Sequence, residues 1–368
     1  MRKFLQRLLY YLPIPILIIA INYYVDPANL YNEKYESGIA DILVQGKNVT
    51  NIINCNDELL QKFYIEKMND CPSAIALGSS RILLISGAHF KEQKFINNGV
   101  RGGASLEDVL AIYYLYEKKG CKIQKIVIGL EPAFLNDNNN QILWKVLQNE
   151  YSTILNKIGQ FPAVDVSIYP PYRYEKYKEL LSISYLKTSL TFFKDGFHKS
   201  SYRPTNIDIN DGYTRRIDGS VSYNNGWRNA PAKSVEEGVR AQIAINQIKT
   251  LGNFENLSEH YKLIFASFVD YLQKQNIEVE FFFAPYHPIL YDYFTKNDAY
   301  HMVIDAENYF REYANNHNIK VYGSYDPGKF KLDNSDFMDG VHCKVKAIDK
   351  IFEIDNQCAS SGTGGPEI

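Results

Sequence analysis

Five short runs alternate with helical patterns beyond residue 70, and this alternation limits the fold more than any other feature of the chain. The runs are Ala74 to Leu77, Phe95 to Asn98, Lys125 to Leu130, Val279 to Ala284 and Ile319 to Tyr322. Ala74 to Leu77 is apolar without a break, and so is Lys125 to Leu130 after its first residue, as suits strands covered on both faces. Between them, Ser105 with Asp108 reads as a capping box, and Leu106, Val109, Leu110 and Tyr113 follow as one apolar stripe at helical spacing. Further helices are expected over Val235 to Thr250, Leu257 to Gln275, Tyr300 to Asn316 and Val345 to Ile354. Strand alternating with helix predicts an α/β domain whose mostly parallel sheet is flanked by helices. Ligands of such sheets bind beyond the carboxyl ends of the strands.

Two strings far apart in the chain carry chemistry. Gly78-Ser79-Ser80-Arg81 follows the first strand and leaves a serine on the turn out of the sheet, near free backbone N–H groups. Asp339-Gly340-Val341-His342 places a carboxylate and an imidazole three residues apart, just ahead of the last helix. A serine hydroxyl is a weak nucleophile until an imidazole takes its proton, and a carboxylate fixes the imidazole tautomer. Ser80, His342 and Asp339 therefore form a candidate triad. The plainer reading of Ser80 is a helix cap, because serine is favoured there for its own sake. His287, in Ala284-Pro285-Tyr286-His287-Pro288, follows a strand whose carboxyl end faces the same crevice. It either handles an acyl donor or acceptor, or competes with His342 as base, or is a loop imidazole bonded to backbone. His89, His198, His260, His301 and His317 have no evident partner, and no His/Asp/Glu cluster has metal-ligand spacing.

The N-terminus indicates where such chemistry would operate. Arg2, Lys3 and Arg7 precede a nearly uncharged run from Leu8 to Val25. At 1.5 Å per residue that run is about 27 Å long, close to the hydrocarbon thickness of a bilayer. The basic flank favours a cytoplasmic N-terminus. Residues 1–26 are thus expected to be the flank and a single transmembrane anchor, with 27–358 an extracytoplasmic domain. The alternatives are a cleaved signal, for which bulky Ile21-Asn22-Tyr23-Tyr24 offers no cleavage pattern, and an ordinary buried helix. A net charge of −2 argues against a nucleic-acid partner. Five scattered cysteines make neither a disulfide framework nor a zinc site, although one bridge such as Cys55 to Cys71 is compatible with an oxidising compartment. Cys343 beside His342 reads as a small apolar residue opening the last helix.

From about 137 to 228 the alternation breaks down. This stretch is rich in Tyr, Pro, Asn and Ser, has only short helical signals, and reads as an irregular insertion. Its Tyr169, Tyr172, Tyr174, Tyr213, Tyr223 and Trp227 either stack on sugar rings or pack the core of a lid. Residues 359–368 are Ser/Gly-rich and expected to be disordered.

Taken in order, Gly78-Ser79-Ser80, Asn98-Gly99-Val100-Arg101-Gly102-Gly103 and Asp339-Gly340-Val341-His342 resemble the blocks of the SGNH (GDSL-like) hydrolase superfamily. The likeness covers roughly 70–130 and 278–354. Within the superfamily, Gly-Ser-Ser behind an anchor is similar to the D-alanyl transfer proteins of lipoteichoic acid modification. It is similar also to the anchored SGNH proteins that partner membrane-bound O-acyltransferases. The resemblance implies a flavodoxin-like fold with Ser80 as nucleophile, His342 as base, Asp339 as its partner and the Gly102 N–H in the oxyanion hole. It implies no cofactor or metal. One block departs: the superfamily usually has an asparagine after the middle strand, where this chain has Leu130-Glu131-Pro132-Ala133. Losing an oxyanion donor typically costs roughly 10²- to 10³-fold in turnover. Arg81 and the Ser80 N–H are candidate substitutes, and Glu131 is a candidate to meet the acceptor. The expected function is transfer of a small acyl group, acetyl or alanyl, through a serine ester to a cell-envelope glycopolymer. A membrane-bound O-acyltransferase would be the donor-side partner. The rival functions are a carbohydrate O-acyl esterase and a non-catalytic assembly protein of the same pathway.

Overall fold

A computed structural model describes residues 10–32, 34–90, 94–159, 161, 176–194, 202–245, 248, 251 and 253–361. Helix α1 (Pro13–Val25) leads through α2 (Tyr35–Val44) and strand β1 (Asn48–Thr50) to α3 (Asp57–Lys67). Next come β2 (Ala74–Ser79), β3 (Phe95–Val100), α4 (Leu106–Lys119) and β4 (Lys125–Gly129). A long excursion holds α5 (Gln148–Ile158), α6 (Ile183–Lys194), β5 (Arg203–Thr205), β6 (Thr214–Arg215), β7 (Val221–Ser222) and the single-turn α7 (Asn225–Arg228). The chain then makes α8 (Ala232–Ala244), α9 (Glu259–Lys274), β8 (Glu278–Phe283), α10 (Pro288–Lys296), α11 (Met302–Asn316), β9 (Lys320–Gly323) and α12 (Val345–Ser361).

The main sheet has five strands in the order β3-β2-β4-β8-β9, and every neighbouring pair is parallel. Counted along the chain the order is 2-1-3-4-5, so the winding reverses between β2 and β4 and opens a crevice at their carboxyl ends. Successive strand residues point to opposite faces. On β8, Phe281 meets Phe265 of α9 at 5.6 Å between ring centroids, while Phe282 stacks on Phe352 of α12 at 5.6 Å. Both faces of the sheet are therefore covered, which explains the unbroken apolar runs Ala74–Leu77 and Ile126–Ile128 at its centre. At the centre, Gly78 has φ +154°, and a Cβ there would sit 3.0 Å from the carbonyl oxygen of Gly129 on the neighbouring strand. Ser105 and Asp108 form the expected capping box at the start of α4.

The excursion is more regular than its composition suggests. It contains two helices of 11 and 12 residues, α5 and α6. Strands β5, β6 and β7 join β1 in a second, antiparallel sheet of order β5-β1-β6-β7. These strands are only two or three residues long, so no alternation could reveal them. Tyr169, Tyr172 and Tyr174 lie outside the described residues. The tail expected from 359 is helical as far as Ser361, because α12 runs two turns beyond Ile354; the rest of the tail lies outside the described residues. The expected anchor begins at Leu8, also outside them, and among the described residues no helix is long and apolar enough to cross a membrane.

The disulfide joins Cys71 to Cys121, with Cα atoms 5.5 Å apart, and Cys55 is free, so the Cys55 to Cys71 pairing is corrected. Cys71 precedes β2 and Cys121 precedes β4, and these strands are adjacent with Ala74 opposite Lys125, which brings the two turns to one edge of the sheet. The closed loop spans 50 residues. Replacing both cysteines with serine is expected to lower stability by about 2–4 kcal/mol, read as a drop in the urea midpoint with an unchanged slope.

Candidate active site

Ser80 emerges from β2 as the first residue of a short 3-10 turn, Ser80–Ile82. The cap of that turn is Ser79, whose Oγ accepts from the Arg81 N–H at 3.1 Å. Ser80 is thus relieved of the capping role, and its partly exposed hydroxyl lies 2.8 Å from His342 Nε2. The other imidazole nitrogen, Nδ1, is 2.8 Å from Asp339 Oδ2. Asp339 Oδ1 accepts the N–H groups of Val341 and His342, both at 2.8 Å. Burial pushes the Asp339 carboxyl up, but the hydrogen bond and charge of His342 and the two backbone donors outweigh this and leave it below the ordinary aspartate value.

The turn carrying Asp339 and His342 is held from several sides. Phe337 and Cys343 bridge in antiparallel fashion, and the Met338 N–H donates to the His342 carbonyl at 2.9 Å. The His287 N–H donates to the Gly340 carbonyl at 3.0 Å. Lys344 Nζ donates to the Ala230 carbonyl at 3.1 Å, which ties the turn to the end of the excursion. Above His342, the half-buried Trp227 ring stands edge-on at 5.3 Å between centroids, with Tyr223 behind it at 4.4 Å from Trp227. Trp227 and Tyr223 from the irregular stretch therefore belong to the site, and Tyr213 packs on Tyr223 at 5.9 Å.

Arg81 and Glu131 have roles other than those expected. The Arg81 side chain is buried: Nη1 donates to Glu131 Oε2 at 2.8 Å, Nε donates to the Val341 carbonyl at 3.1 Å, and Nη2 donates to the Ala284 carbonyl. Its guanidinium lies over the Tyr286 ring at 4.0 Å. Burial works against the Arg81 charge, but Glu131 more than compensates and keeps it firmly protonated. The remaining Glu131 oxygen accepts the Ser79 hydroxyl at 2.6 Å. Both oxygens of Glu131 and all three nitrogens of Arg81 are thus engaged inside the protein. Arg81 is not an oxyanion donor, and Glu131 does not face an acceptor. The pair instead ties the exits of β2, β4 and β8 to the residue ahead of His342.

His287 is also placed differently from its functional reading. It is fully buried at the N-terminus of α10, its Nδ1 accepts the Ile289 N–H at 3.2 Å, and burial lowers its pKa. It does not compete with His342, which holds the contact to Ser80. Cys343 is buried, with its thiol against the Pro285 carbonyl, as expected of a small packing residue. His89, which has no evident partner in the sequence, bonds Asp349 at 3.0 Å; His198 lies outside the described residues.

Gly102 lies two residues beyond β3, exposed and with φ +90°. Ser79 pairs with Val100, so this turn and Ser80 share one edge of the sheet. The turn is fixed by Asp57, a residue with no motif around it. Asp57 Oδ2 accepts both the backbone N–H and Nε of Arg101 at 2.8 Å, and Oδ1 accepts Nη2 at 2.8 Å. Burial raises the Asp57 carboxyl, but the Arg101 charge beside it brings it below the ordinary range. Behind this turn lies a cavity of about 820 Å³ whose lining includes Arg101, Asp57 and Glu58.

The fold and the site together define an α/β protein with a Ser–His–Asp relay at the carboxyl edge of a parallel sheet. No protein-family model matches the chain, and no curated protein matches it.

Proposed function

We propose that this protein is a membrane-anchored acyltransferase of the SGNH type, with the flavodoxin-like core of that superfamily and its catalytic domain outside the cytoplasm. The observation that carries the reading is the unbroken chain from Ser80 Oγ to His342 Nε2 and from His342 Nδ1 to Asp339 Oδ2, 2.8 Å at each step. In the first half-reaction the Ser80 hydroxyl attacks the carbonyl of an acyl ester or thioester. His342 takes the hydroxyl proton and gives it to the departing alcohol or thiol, and the acyl group remains as an ester on Ser80. In the second, a hydroxyl of a cell-envelope glycopolymer attacks that ester. His342 takes the acceptor's proton and returns it to Ser80 Oγ. Oxyanion support falls to the backbone N–H groups of Ser80 and Gly102, since Leu130-Glu131-Pro132-Ala133 stands where the superfamily usually has its asparagine.

Three further features support transfer over hydrolysis and an extracytoplasmic site. A missing side-chain donor slows both half-reactions, which argues against a fast esterase. Trp227, edge-on to His342, offers an aromatic surface to a sugar acceptor. The Cys71–Cys121 disulfide suits an oxidising compartment, in keeping with a cytoplasmic N-terminus and the domain beyond the membrane. The donor-side partner is then an integral membrane O-acyltransferase, held nearby by the shared bilayer.

The test is to incubate the purified full chain and its Ser80→Ala form with p-nitrophenyl acetate, following both p-nitrophenol release and the mass of the intact protein. A burst of one acetyl per chain on Ser80 with little turnover is the expected result. Steady Ser80-dependent turnover would identify an esterase. No Ser80-dependent signal, from this ester or from the co-purified membrane acyltransferase with its own donor, would leave a non-catalytic assembly protein.

A further inference from the structure

Helices α1 and α6, from distant parts of the chain, pack side by side around one buried amide. Asn22, fully buried, shares its Nδ2 protons among the carbonyls of Glu179, Leu180 and Ser182 at 3.0–3.2 Å, and its Oδ1 accepts from Ser189 Oγ at 3.2 Å. Tyr185 Oη donates to Asp26 Oδ1 at 2.8 Å. Four residues forward in α6, from Tyr185 to Ser189, answer four residues back in α1, from Asp26 to Asn22, so the helices run antiparallel.

Around this polar pin the pair exposes apolar surface. On α1, Ile14, Ile16 and Leu17 are 56–60% exposed; on α6, Ile183, Leu190 and Phe193 are 51–66% exposed. With Leu186, the α6 residues recur at spacings of three, four and three, one stripe along the helix. The seam between the helices is a groove of about 580 Å³ with an almost wholly apolar lining that includes Ala20, Ile21, Leu190 and Phe193. A contiguous apolar face of this kind is rare on a protein surface bathed in water.

We propose that α6 is a second membrane-embedded element, seated one face down in the bilayer against α1. This rests on the reading of α1 as part of the anchor. The occupant of the face is lipid rather than a partner protein, for two reasons. The stripe is continuous with the apolar face of α1 itself, and α6 runs antiparallel to α1 from the level of Asp26, so the stripe descends beside it. Tyr23 and Tyr24 stand beside Asp26 at the end of α1, the level at which aromatic residues mark the membrane interface. Twelve residues of helix extend about 18 Å, enough to enter one leaflet but not to cross both.

The experiment uses the full chain with Cys55→Ser and Cys358→Ser. Cys343 stays in place, since burial pushes its thiol up to about 12 and out of reach of labelling. Single cysteines at Ile16→Cys, Leu190→Cys, Phe193→Cys and Thr188→Cys are labelled with an environment-sensitive fluorophore and reconstituted into phosphatidylcholine/phosphatidylglycerol vesicles containing bromine-labelled acyl chains. Labels at 16, 190 and 193 should be quenched at least roughly two-fold more than the label at 188, on the polar face. Quenching at 16 alone leaves the anchor standing and overturns the seating of α6, whose stripe would then await a protein partner. Quenching at none of the four defeats both readings, and equal quenching at 188 overturns a one-faced seating.

Discussion

His342→Ala is expected to slow acylation of Ser80 on the order of 10⁶-fold, the loss seen when the base of a serine triad is removed. The size follows from the geometry. The Ser80 hydroxyl has one proton acceptor in place, the imidazole at 2.8 Å, and without it the attacking oxygen must lose its proton to water. His287 does not rescue the variant, because it is buried at the head of α10 and bonded to the Ile289 N–H. Asp339→Asn should cost less, on the order of 10⁴-fold, since the imidazole remains but its tautomer is no longer held. Intact-protein mass spectrometry after timed exposure to an activated acyl ester measures both. If the two variants acylate within about tenfold of the parent, the relay is not the source of reactivity.

Arg81→Met should lower stability by about 3–5 kcal/mol, because it strands Glu131 as an uncompensated charge in a site where its side chain is 13% exposed. It also removes the donors to the Val341 and Ala284 carbonyls, and Val341 immediately precedes His342. Acylation should therefore slow as well, by roughly 10²-fold for a displacement of the order of 1 Å. Pairing Arg81→Met with Glu131→Gln separates the two effects. Neutralising Glu131 should restore most of the stability, measured by urea unfolding, whereas the rate should stay low because Val341 still lacks its donor. An Arg81→Met protein with parental stability and rate would show that the ion pair neither supports the fold nor positions His342.

The parallel sheet was legible because both of its faces are buried. That burial leaves β2 and β4 largely apolar and gives β8 its run of three phenylalanines, so their approximate positions could be read from residue type alone. The triad was legible for a different reason: Ser80 stands directly after a strand, and Asp339 and His342 lie within one turn of each other, so few folds keep them apart. Arg81 and Glu131 could not be assigned in this way. A charged residue beside a nucleophile looks the same in sequence whether it faces substrate or turns inward, and the inward turn depends on Tyr286, Val341 and Ala284, all far along the chain. Asp57 was missed because its partner, Arg101, comes 44 residues later and no spacing rule links them. The disulfide was misassigned because Cys71 and Cys121 meet only once β2 and β4 are paired.

By itself, then, the sequence determined the main sheet, the helices over it, and the three residues of the relay. These follow from local burial and from contacts across a few residues, which leave a periodic or motif-like trace. Only the tertiary structure decided which polar groups face one another across the crevice, which cysteines pair, and how the irregular stretch folds back to set Trp227 on His342 and α6 on α1. Those contacts join residues tens to hundreds of positions apart, and a side chain's orientation there is set by neighbours whose identity no local pattern encodes.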